Sequence, residues 1–326
     1  MKRISITLQV LTIATFQSAF ARNIDSLAVD NIDFQMLEEP VNPRIIAMGG
    51  AGTALPGRGF AFYGPAQINL YPTSYLSADY GRWPQADASR SHIETVLRLP
   101  TWSLGIDFRT FSIDDIFPAG EQGVEWNNPA SDQQSFLALT VGRRINRLSI
   151  GATLKGMQHK LFHFTSYGLG GDIGAAYAVV PQKLFAGAAM LNLGSTTPML
   201  DEKKTLGEGG DLPMTGRLGV AWIDTIGTVA YALSVDAVVR EVNKQVTLPI
   251  GIEVTPIPAL SLRIGKHGLH PTQMLSMGFG INAVPLKLDV SFRIPRLVDD
   301  VELRWLASLT YDLVTPAPAS KEESTE

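Results

Sequence analysis

Leu286, Leu288, Val290, Phe292 and Ile294 alternate without exception with Lys287, Asp289, Ser291 and Arg293, and this constrains the fold more than any other feature of the chain. A period of two places the apolar and polar sets on opposite faces of a strand. Such a strand fits a membrane barrel with its apolar face on lipid, or a soluble sandwich with that face inward, so one strand does not decide between them. The pattern recurs, however. Leu303, Trp305, Ala307, Leu309, Tyr311 and Leu313 alternate with Arg304, Leu306, Ser308, Thr310 and Asp312, and Val246, Leu248, Ile250 and Ile252 with Thr247, Pro249, Gly251 and Glu253. Similar runs lie at Ser74 to Arg82, His92 to Arg98, Trp102 to Phe111, Gln134 to Gly142, Leu148 to Gln158 and Tyr167 to Val179. Others follow at Leu184 to Leu193, Gly216 to Trp222, Val229 to Arg240, Leu260 to Lys266 and Met274 to Ala283. The expectation is an all-β chain of about 14 strands, most near the roughly 9–11 residues that a tilted membrane strand needs.

The links sort by parity. Leu99 to Thr101, Arg143 to Arg147, Val180 to Gln182, Asp224 to Gly227, Thr255 to Pro258 and Val284 to Pro285 are short, whereas Ser112 to Gln133 and Ser195 to Met214 are long and rich in Gly, Pro and acidic residues. Glu241 to Lys244 and His267 to Gln273 are brief links on the long side. Short periplasmic turns and long outer loops are the habit of outer-membrane barrels, and a sandwich has no reason to adopt it. With the chain start in the periplasm, the long loops face outward.

Met1, Lys2 and Arg3 precede a mostly apolar stretch from Ile4 to Phe20, and Ala19, Phe20 and Ala21 fit a small-residue cleavage site, so residues 1–21 read as a signal peptide. Beyond Ala21 no run of about 18 apolar residues occurs, which leaves a closed barrel as the only way to span a bilayer. The mean hydropathy of +0.10 agrees, because barrel strands dilute lipid-facing residues with luminal ones. Cysteine is absent, which removes disulfides, thiolate metal sites and a lipidated anchor. A net charge of −4 offers no basic field for nucleic acid. The expected organisation is a signal peptide (1–21), an N-terminal plug or hatch (22–72), an outer-membrane barrel (73–314) and a disordered periplasmic tail (315–326).

The segment 22–72 does not alternate and carries Met48-Gly49-Gly50-Ala51-Gly52-Thr53-Ala54. Gly50, Gly52, Gly57 and Gly59 do not form a nucleotide loop: no strand leads in, no Lys-Ser/Thr follows, and Leu55 stands where the third glycine would be. Small residues instead allow close packing within a barrel mouth. Arg44, then Met48-Gly49-Gly50-Ala51, then Tyr63 followed by Gly64-Pro65-Ala66, resembles the opening of PorV/PorQ-type outer-membrane proteins, relatives of the FadL fatty-acid channels. Matching fragments run on through Asp172-Ile173-Gly174, Asn192-Leu193-Gly194, Arg217-Leu218-Gly219, Gly251-Ile252-Glu253, Leu262-Arg263-Ile264-Gly265, Gly278-Phe279-Gly280 and Leu288-Asp289. Gly64 replaces the family's usual Asn, and Leu55-Pro56-Gly57 its acidic pair. The resemblance implies a 14-stranded barrel with an N-terminal plug, and in some relatives a shuttle or attachment role in type IX secretion.

A luminal polar network is expected from Asp172, Arg217, Glu253, Arg263, Lys287, Asp289, Arg293 and Arg304, joined by Arg98, Arg109, Lys155, Arg240, Glu94, Asp107, Asp236, Glu302 and Asp312. The signs nearly cancel, which favours a lumen filled with ion pairs over an ion-selective ring. Glu253 and Arg263 are expected to pair directly, with Asp289 reaching them across the intervening strand or through water. His92, His159, His163, His267 and His270 read as exposed loop residues, and no catalytic, metal or cofactor site is expected. Trp102, Trp222, Trp305, Tyr311 and Tyr80 suit an interfacial girdle. The function expected is non-enzymatic transport or a secretion-associated role, with a FadL-like importer of hydrophobic molecules as the alternative and a barrel-embedded lipid hydrolase as a minor one. The partners expected are outer-membrane lipid and the barrel assembly machinery, with secretion-system proteins or hydrophobic ligands beside them and no nucleic acid.

Overall fold

The computed structural model describes residues 34–83, 87–116, 130–161, 163–200, 205–206, 208–241, 245–268, 274–294 and 304–313. The expected signal peptide, residues 22–33, Glu302, His270 and the tail 315–326 lie outside them. In chain order the strands are β1 Ser74–Trp83, β2 Ala88–Arg98, β3 Trp102–Ile116, β4 Ala130–Ile145, β5 Leu148–Leu161, β6 Phe164–Val180, β7 Leu184–Thr196, β8 Met199–Leu200 and β9 Thr205–Leu206. They continue as β10 Thr215–Ile226, β11 Val229–Arg240, β12 Gln245–Thr247, β13 Ile250–Ile257, β14 Leu260–Lys266, β15 Leu275–Ala283, β16 Leu286–Ile294 and β17 Arg304–Leu313. β8 and β9 form a small hairpin in the link between β7 and β10. β12 and β13 flank Leu248-Pro249 and pair with β11 in one unbroken register, Val238 with Thr247 and Val235 with Ile250, so they act as one stave. Fourteen antiparallel staves result, and β1 pairs with both β2 and β17, which closes the barrel.

The two faces are inverted relative to a soluble protein. Leu154, Leu169, Leu218 and Leu262 are 50–63% exposed on the outside, while Asp107, Glu94, Arg109 and Lys155 are at most 2% exposed within. An apolar outer band with charges inside is what a bilayer requires and water penalises. Aromatic side chains flank this band. Trp102, Trp222 and Tyr311 lie outward toward the short-turn end, and Tyr80 packs on Trp305 at the other, with ring centroids 5.8 Å apart.

Residues 34–72 run against the inner faces of the staves, in short helical turns at Gln35–Leu37, Pro43–Ala47, Phe60–Tyr63 and Pro65–Asn69. Pro43 opens its turn where an N–H would have no partner, and the Asn42 side chain caps it by accepting from the Arg44 N–H at 3.0 Å. Glycines on the wall permit the close approach. A methyl group on Gly251 or Gly265 would collide with the backbone of Met48, and one on Gly151 with that of Pro65.

Candidate functional site

Halfway along the lumen, the charged residues connect into one ladder. Arg44 grips Glu253 with two hydrogen bonds, at 2.8 and 2.7 Å. Glu253 also accepts from Arg263 at 2.5 Å, and Arg263 reaches Asp289 at 2.7 Å. Arg58 lies 3.3 Å from Asp289 and 3.6 Å from Asp79, and it also donates to Ser77 and Ser308. Asp79 meets one ring nitrogen of His92 at 2.8 Å and Asp107 the other at 3.0 Å, and Asp107 holds Arg109 at 2.8 and 2.9 Å. Arg44 and Arg58 come from the N-terminal segment and every other member from the wall, so the ladder sews the segment to β1, β2, β3, β13, β14 and β16.

Geometry explains each step. Glu253 and Arg263 face each other in register on β13 and β14, as expected. Asp289, two staves from Arg263, needs no water to reach it. Gly280 of β15 sits between them, and a methyl there would stand 2.5 Å from Asp289 Oδ1 and 2.6 Å from Arg263 Nη2. Charge-assisted pairing of this density is what buried ions require to offset their lost hydration.

Two further knots lie along the lumen, the first holding the segment and the second joining staves of the wall. Asp236 Oδ2 accepts from the Gly52 and Thr53 N–H groups and the Thr53 hydroxyl at 3.0, 2.9 and 2.7 Å, and Arg217 adds a fourth bond at 2.9 Å while also donating to the Gly50 carbonyl. Lys155 pairs with Asp172 at 2.7 Å and donates to Asn192 at 2.8 Å, where β6 and β7 lose register and Asn192 takes φ 61°. At the short-turn end Lys287 contacts both Asp312 and Tyr71, at 2.7 and 2.8 Å.

The outer tier is built differently. Arg90, Arg240, Arg293 and Arg304 project inward near the long-loop end, and among the described residues the carboxylates facing them are Glu38 and Glu39. Glu39 lies 3.0 Å from Arg293 and 3.6 Å from Arg304, and Glu38 lies 3.6 Å from Arg240. Burial would raise the Glu39 carboxyl, but Arg293, Arg90 and Arg304 together hold it below its usual range. His267, which meets the Gly49 carbonyl at 3.2 Å, is pushed down to about 3 by burial and by Arg293 and Arg240.

All the expected motif residues of the segment line up along this inner packing. Met48 rests on Gly251 and Gly265, Gly49 takes φ 70° beside the Lys266 backbone, and Ala51 and Ala66 are buried. The Tyr63 hydroxyl donates to Val41 O at 2.8 Å, and Pro65 packs on Gly151 and Gly174. The histidine expectation is corrected. His92 and His159 lie on strands and are buried, each against aspartate, His159 being 2.9 Å from Asp132; His267 is partly buried, and His163 alone of those described is exposed. The sequence reading also missed Arg58, Asp79 and Arg90. Two recesses of the described lumen each have a cavity volume of about 10 Å³, room for one water.

No family model matches the sequence, and no curated protein does. Among solved structures, the CymD monoaromatic hydrocarbon channel superposes with a TM-score of 0.59 at 14% identity, over 84% of this chain and 98% of that one. The Pseudomonas putida toluene transporter TodX gives the same TM-score, identity and coverage. A TodX deltaS2S3 mutant gives 0.59 at 12%, over 84% of this chain and 99% of that one. At such identity the likeness is one of fold, a 14-stranded β-barrel, and it does not single out PorV/PorQ.

Proposed function

We propose that the chain is a non-enzymatic outer-membrane channel that imports small hydrophobic molecules, with residues 22–72 as its internal plug. The observation that carries this reading is the fold shared with CymD and TodX, whose names make them hydrocarbon channels. The interior supports it: a lumen crossed by buried ion pairs offers ions no continuous watery route, so passage requires the packed segment to rearrange or an apolar path around it. His92, Glu94 and Asp107 are the one cluster of described residues shaped for a metal, and both nitrogens of His92 are already taken by Asp79 and Asp107. A secretion-associated role rests on motif resemblance alone. Export with cleavage after Ala21, and contact with outer-membrane lipid and the assembly machinery, belong to the same proposal.

Toluene uptake by cells expressing the chain tests it. The proposal expects uptake faster than in cells carrying an empty vector; equal rates, with the barrel confirmed in the outer membrane, would count against import.

A further inference from the structure

One recess of the outer tier collects donors that no described residue uses. Among the described residues Trp83 Nε1, Arg90 Nε and Ser291 Oγ are buried without a hydrogen-bond partner, and their residues line the same small cavity together with Arg293 and Arg304. Leaving buried donors unmet costs stability, so a native protein that gathers several of them has a reason. The register sharpens the point. Arg293 and Arg304 stand directly opposite each other on β16 and β17, a like-charge pair that a sheet disfavours. The Trp83 ring is flanked by two of the cations, Arg90 at 5.6 Å and Arg304 at 5.8 Å from its centroid, which holds both guanidinium groups at the recess.

The chemistry of this set selects one kind of occupant. Guanidinium and indole N–H groups can only donate, and the serine hydroxyl can donate as well. A neutral apolar molecule leaves them unmet and a cation is repelled, whereas a group with two or three anionic oxygens satisfies several at once. Glu39 already supplies such a group from within, at 3.0 Å from Arg293. We propose that this recess is an anion site whose resident ligand is the Glu39 carboxylate, and that the carboxylate or phosphate group of an external molecule binds there by taking its place. A cavity of about 10 Å³ leaves no room for both, so binding and Glu39 compete.

The test is calorimetric titration of the full-length protein in detergent with sodium benzoate, with inorganic phosphate and with benzyl alcohol as the neutral control. Glu39→Ala should bind at least one of the anions more tightly than the unsubstituted chain, by a factor on the order of ten. Adding Arg293→Gln should remove the gain, and benzyl alcohol should bind the variants and the parent alike. Preference for benzoate identifies a carboxylate ligand, and preference for phosphate a phosphoryl one. No gain for either anion, or an equal gain for benzyl alcohol, overturns the proposal. If Glu39→Ala fails to give a heat-modifiable barrel, refolding with either anion should restore it, and restoration by neither also overturns it. The titration reads binding without transport, so toluene uptake stands or falls separately.

Discussion

The middle and the outer tier of the lumen carry similar side chains and solve opposite problems. In the middle, wall carboxylates outnumber what the wall alone pairs, and the segment contributes cations: Arg44 completes Glu253, and Arg58 bridges Asp289 to Asp79. At the outer end the wall is cationic, and the segment contributes anions, Glu38 and Glu39. In the middle Arg44 grips Glu253 with two bonds and Arg58 is buried among Asp79, Asp289, Ser77 and Ser308, whereas each outer ion pair is a single contact, with Glu39 partly exposed. The same charge therefore does different work by depth. In the middle it holds the segment, and at the mouth it covers a site.

The sharpest way to break this comparison is Arg58→Ala, which takes a buried cation from Asp79 and Asp289 at once and leaves them His92 and Arg263 as ion-pair partners. We expect a loss of about 3–5 kcal/mol in urea unfolding from lipid vesicles; a loss near that of a surface pair would make the ladder solvated instead. Leu288→Arg tests the assignment of faces on which the comparison stands. A cation near the bilayer midplane costs about 2–4 kcal/mol, read as failure of the heat-modifiable form, and normal assembly of this variant would reverse the faces. Glu39→Gln should cost only about 1 kcal/mol or less, because its contacts are few and partly exposed. Its pH signature is more specific. A carboxyl depressed in the folded state gives stability that is present above its unfolded value of 4.5 and is lost as pH falls through the folded one. Depressed His267 also loses stability on acidification, beginning below its ordinary value of 6.5, so the difference between the Glu39→Gln and parent curves below about pH 4.5 isolates Glu39. Ser291→Ala, which removes a hydroxyl without a partner, should lie within about 0.5 kcal/mol of the parent.

The staves were legible because a period of two survives any depth of burial. Val229–Arg240, Leu260–Lys266 and Leu286–Ile294 have the expected bounds, most other strands extend the expected runs by a few residues, β15 starts one residue later than expected, and Leu248-Pro249 interrupts the run from Val246 to Glu253. The inward charges followed from the same period. So should His92 and Arg90 have done, since they stand two and four residues before Glu94 on one face of β2, and Asp79 shares a face with Ser77 on β1. Histidine near a predicted strand end was read as loop instead. Arg58 left no such signal: it lies in a Gly- and Pro-rich stretch without periodicity, and only the fold brings it to Asp289, 231 positions away in sequence. The direct Arg263–Asp289 contact was hidden for another reason, because it depends on the missing side chain of Gly280 rather than on any charge.

A lumen filled by the ladder and the segment it holds is read most directly by the conductance of the unsubstituted protein in planar bilayers. A packed lumen predicts no steady ohmic current at neutral pH. A persistent open-pore conductance under those conditions would contradict it and would make the ladder the lining of a channel.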